Sequence, residues 1–129
     1  MLTEKQITNL RKTVRQKWVP WLFLFVTLFH LFLVGGEIFR AHRLCSLSGL
    51  PWKQALSFAF SHPRLSAMYS GIEVASGNHI KDAMFYSFGA IWFFGIFLIM
   101  RITLQRQAVL LEYIDKLKDA QSAPQPPPQ

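Results

Sequence analysis

Two stretches of this chain hold no Asp, Glu, Lys or Arg: Trp18 to Gly36, nineteen residues, and Ala83 to Met100, eighteen residues. Coiled as helices rising about 1.5 Å per residue, each reaches close to the thickness of a hydrocarbon core of about 30 Å. A soluble core in a chain of 129 residues would instead be assembled from several short periodic segments. The expected fold class is therefore all-α: a two-span transmembrane helical hairpin, with amphipathic interfacial helices in the connector and a C-terminal cytoplasmic helix. The expected divisions are a basic cytoplasmic segment over 1–17, a first transmembrane helix over 18–40, a connector over 41–82, a second transmembrane helix over 83–101, a cytoplasmic helix over 102–119 and a Pro/Gln-rich disordered tail over 120–129.

Charge sets the expected orientation. Lys5, Arg11, Lys12, Arg15 and Lys17 face a single acid, Glu4, before the first span, and Arg101 and Arg106 follow the second. By the positive-inside rule both termini are cytoplasmic, and the expected location is a bacterial inner membrane. The connector also carries basic residues, Arg40 and Arg43 among them, so the asymmetry is modest. A net charge of +7 would ordinarily suggest nucleic acid, but here the bases flank apolar runs and form no aromatic-interleaved groove, so no nucleic-acid partner is expected. A basic leader before an apolar run also resembles a signal peptide. A run of nineteen exceeds the usual signal core, and an uncleaved anchor is the expected reading.

Local signals give the remaining elements. Thr3 is placed to cap a short helix leading into the first span, and Pro20 falls in a first helical turn, where its missing N–H costs little. Glu37 to Leu47 reads as a continuation of the first helix. Ser48 then offers a cap and Pro51 opens a helix in which Lys53, Gln54, Ser57 and Ser61 form a narrow polar stripe, with Trp52, Leu56, Phe58 and Phe60 on the remaining arc. Leu65, Met68, Tyr69 and Ile72 recur at helical spacing, Gly77 is expected to end that helix, and Asn78 to cap the second span. Ile102 to Lys118 is helical in pattern, with Glu112 and Lys116 one turn apart, and is a candidate docking helix. Two spans with basic ends are superficially similar to a phage lysis holin, but the long helix-bearing connector departs from that class's tight hairpin.

Among residues that carry chemistry, His30 stands out as an ionisable group inside a span. If the spans pair antiparallel, counting twelve residues in from each cytoplasmic end sets His30 level with Gly89, where Ser87 is near enough to satisfy the imidazole. A hydrogen-bonded helix contact is one reading of His30. Haem ligation, quinone contact or proton relay are the others. Glu37 lies two turns beyond His30 and is expected to pair with Arg40 or Arg101. His42 and Cys45 sit three apart, but Cys45 is the only cysteine and no second ligand pair follows, so no metal is expected. His62 and His79 read as interfacial or solvated.

No nucleophile elbow, phosphate-cradling loop, zincin helix or paired catalytic acids occur in the sequence, and neither an enzyme nor a cofactor is expected. Partner surfaces are more evident: the small residues Ala83, Ser87, Ala90 and Gly95 on the second span, which suit contact with the first span of the same chain as well as with another protein, and Trp52, Leu56 and Phe60 in the connector. The expected function is that of a non-catalytic accessory or scaffolding subunit of a larger integral membrane complex, contacting the lipid bilayer and other integral membrane proteins or further copies of itself. A small homo-oligomeric pore and a redox subunit using His30 are the alternatives.

Overall fold

In the computed structural model, residues 3–61 and 71–122 are described. They form four helices and no strand: α1 (Glu4–Arg15), α2 (Val19–Ser48), α3 (Trp52–Ser61) and α4 (Ile72–Ser122). The periodicity of Leu65, Met68 and Tyr69, His62 and the proline-rich end of the tail lie outside the described residues. The chain divides into two units, one of Met1–Leu22 with Ile96–Gln129 and one of Phe23–Gly95.

The first helix begins as its sequence requires. Thr3 and Gln6 form a capping box: the Gln6 amide donates to the Thr3 hydroxyl, and the Thr3 amide donates to the Gln6 side-chain oxygen at 2.8 Å. Within its unit α1 turns Ile7 inward, with Leu10 and Val14 half-buried on the same face. An exposed ion pair joins Arg11 to Asp115 at 2.6 Å. The Arg101 guanidinium lies over the Trp21 ring, 5.6 Å from its centroid, and near the ring of Phe97. Farther along α4, Lys116 bonds Glu112 at 2.8 Å. That hydrogen bond, and then the charge each partner places beside the other, lowers the Glu112 pKa and raises that of Lys116, though so exposed a pair adds little stability.

In the second unit the helices meet through small side chains. Ala41 and Cys45 of α2, Ala55 and Ala59 of α3 and Ile80 of α4 form one buried cluster, with Leu50 against it and Ser76 fully buried. Alanine at three of these positions lets the backbones approach closely. Gly49, at a φ of +71°, stops α2, and the Leu50 amide then donates to the Cys45 carbonyl at 3.0 Å, the closing bond of a glycine-terminated helix.

Two local expectations are corrected here. Ser48 does not cap α3. It is the last residue of α2 and donates its hydroxyl to the Leu44 carbonyl, while the Pro51 carbonyl accepts the first amides of α3. Nor does Gly77 end a helix or Asn78 open one, because α4 runs unbroken from Ile72. Gly77 serves packing instead: a Cβ there would lie 2.8 Å from the Phe58 ring, so its absence is what seats α3 against α4.

The structure has two helical stretches long and apolar enough to cross a membrane, Glu4–Ser48 and Ile72–Ser122. The chain buries only 6% and 17% of their most apolar windows, unlike the core helix of a soluble protein, which is mostly enclosed. Phe25, Phe32, Phe85, Phe88 and Trp92 are each largely exposed.

Candidate functional site

The polar groups that sequence reading singled out come together at two places in the Phe23–Gly95 unit. The first is His30. Its Nδ1 lies 2.8 Å from the Val26 carbonyl one turn earlier, so Nδ1 carries the proton and donates. The Cδ2–Nε2 edge of the ring then meets α4 at Gly89, where a Cβ would fall 2.6 Å from Cδ2 and 2.8 Å from Nε2. Phe93 and Tyr86 stand beside it, with ring centroids 5.2 Å and 6.4 Å away. The expected level of His30 and Gly89 is thus met by direct contact.

Ser87 does not satisfy the imidazole. Its hydroxyl donates to the Ala83 carbonyl at 2.8 Å, as those of Thr27 and Ser76 donate to carbonyls four residues earlier in their helices. A helical serine or threonine has that acceptor always in reach. The imidazole is thus part of the contact between α2 and α4.

The second place is the cluster of Glu37, His79 and Asp82. Glu37 is 12% exposed at its side chain, and its two oxygens are separately engaged, one accepting from Arg40 at 3.0 Å and the other from His79 Nδ1 at 2.5 Å. Asp82 lies one turn along α4 from His79, and one ligand atom from each of the three residues falls within 4.8 Å of the others. Glu37 therefore pairs with Arg40, one of its two expected partners, and with His79, which by sequence reads as interfacial or solvated. Arg101 goes to the aromatic rings of the other unit.

The remaining candidates are separated. His42 is exposed beside Trp52, whereas Cys45 is enclosed in the alanine cluster, so the two do not face a common ligand position. Of the small residues expected to receive a partner, Ala83 and Ala90 are buried by the chain itself and Ser87 is half-buried. Gly95 has no atom near the position its Cβ would take. On α3 the division is sharp: Ala55 and Ala59 face the core, while Trp52, Leu56 and Phe60, each one turn apart, are 37%, 37% and 67% exposed.

The signal for the Glu37 cluster was present. His79 and Asp82 are three apart and share a helical face, and Glu37 lies as far beyond His30 as Asp82 lies before Gly89. The register that pairs His30 with Gly89 thus also sets Glu37 level with Asp82. No protein family, curated protein or solved structure matches this chain.

Proposed function

We propose that this chain is a non-catalytic accessory or scaffolding subunit of a larger integral membrane assembly, crossing a bacterial inner membrane twice through α2 and α4 with both termini in the cytoplasm. The observation that carries this reading is α3. Its small residues hold it to its own unit, and the Trp52, Leu56 and Phe60 stripe is left without a covering element of the described chain. Lys53, Gln54, Ser57 and Ser61 border that stripe, giving the helix the two-sided character of one lying in a membrane interface against lipid and a neighbouring protein. Each large apolar side chain fully buried there would contribute about 1.5–3 kcal/mol, so this short helix offers several kcal/mol of docking energy before ordering costs. The basic flanks of both apolar runs support the orientation.

Co-purification from native membranes in a mild detergent tests the reading. The wild-type chain is expected to bring down stoichiometric membrane partners. Leu56→Asp should lose most of them while Ser57→Asp retains them, since only the first places a charge in the apolar stripe. Equal recovery with both variants, or a homo-oligomer alone, contradicts the proposal.

A further inference from the structure

We propose that Glu37, His79 and Asp82 form a binding site for a first-row divalent cation of the Zn2+ type, clamping α2 to α4. The inference goes beyond the accessory-subunit reading and does not depend on it. Three donors of two kinds converge: a carboxylate from α2, and an imidazole and a carboxylate from consecutive turns of α4, with one ligand atom of each inside a 4.8 Å span. Ligands at about 2.0–2.2 Å from one tetrahedral ion sit somewhat closer together than this, a difference that side-chain rotation accommodates. The close approach of His79 Nδ1 to the Glu37 carboxylate already brings two of the donors together.

The supporting elements are rigid. Ala41, one turn after Glu37 on α2, is fully buried, and on α4 Ile80 and Ala83 alternate with His79 and Asp82 and are buried too. Packing thus fixes both helix faces that carry the ligands, which is the condition for a site with defined geometry. One nitrogen and two oxygens suit a borderline ion such as Zn2+, with a fourth position left for water, better than Ca2+, which takes six to eight oxygens, or a soft monovalent ion.

The full chain, purified in detergent, stripped with chelator and titrated with ZnCl2 by calorimetry, tests the assignment. Saturable binding at one ion per chain is expected, together with a rise in thermal midpoint. Losing a ligand should weaken binding at least as much as losing an outer-shell partner, so His79→Ala and Asp82→Asn are each expected to weaken it by about tenfold or more. His42→Ala, which alters the exposed histidine near Cys45, should bind as wild type. Asp82→Asn keeps the shape of the side chain and decides the matter if His79→Ala does not fold. Absence of saturable binding by the wild-type chain, binding unchanged in Asp82→Asn, or binding lost in His42→Ala would each overturn the assignment.

Discussion

Replacing Gly89 with leucine should separate α2 from α4 at mid-unit and cost about 3 kcal/mol, at the upper end of what overpacking a close helix contact usually costs. The first atom of any side chain there already falls 2.6 Å from the His30 ring. The ring cannot simply move aside, because Nδ1 is held by the Val26 carbonyl and Phe93 and Tyr86 stand next to it. Removing the obstacle should relieve the strain, so Gly89→Leu in a His30→Ala background is expected to lose far less than in the wild type. The two sites are in contact, and a coupling of about 0.5–3 kcal/mol is the range such pairs show. Thermal unfolding in one detergent, across the four members of that cycle, measures it. An identical loss in both backgrounds would mean that the His30 and Gly89 contact does not hold the helices together.

Ala55→Leu should have the second large effect, a loss of about 1–3 kcal/mol in the same assay. Ala55 is fully buried, and its neighbours in the cluster are Ala41, Cys45, Ala59 and Ile80. Three further heavy atoms at that point have no space, and α3 must lift away from α2 and α4 to admit them. Ser57→Leu, two residues on but exposed, should stay within about 0.5 kcal/mol of wild type. If both variants unfold alike, α3 is not seated through its alanines.

What could be read in advance follows the reach of each physical signal. The uncharged runs report directly on solvent preference, so the two long apolar helices were evident from side-chain chemistry alone. Thr3 was legible because a capping box is a contact between residues three apart. The level of His30 and Gly89 was also legible, since an antiparallel pair of straight helices turns depth into counting. Gly77 misled for a physical reason: glycine is favoured both where a helix stops and where another helix comes close. Only the position of Phe58 distinguishes the two. Ala83 and Ala90 carried the same ambiguity between an internal and an external neighbour, and burial within the chain is what resolved it. The Glu37, His79 and Asp82 cluster is not visible from any one of its residues, and emerges only when the register that sets His30 against Gly89 is carried seven residues along both helices.

Site-directed labelling tests the central claim, that the chain crosses the bilayer twice. Single cysteines at Thr3, Ser57 and Ser122, in a Cys45→Ala background, would be exposed in intact cells to a membrane-impermeant thiol reagent before and after permeabilisation. The expected result is that the Ser57 position labels from outside the inner membrane, while the Thr3 and Ser122 positions label only once the cytoplasm is opened. Labelling of all three positions from the same side would contradict two-fold crossing and the accessory-subunit topology with it.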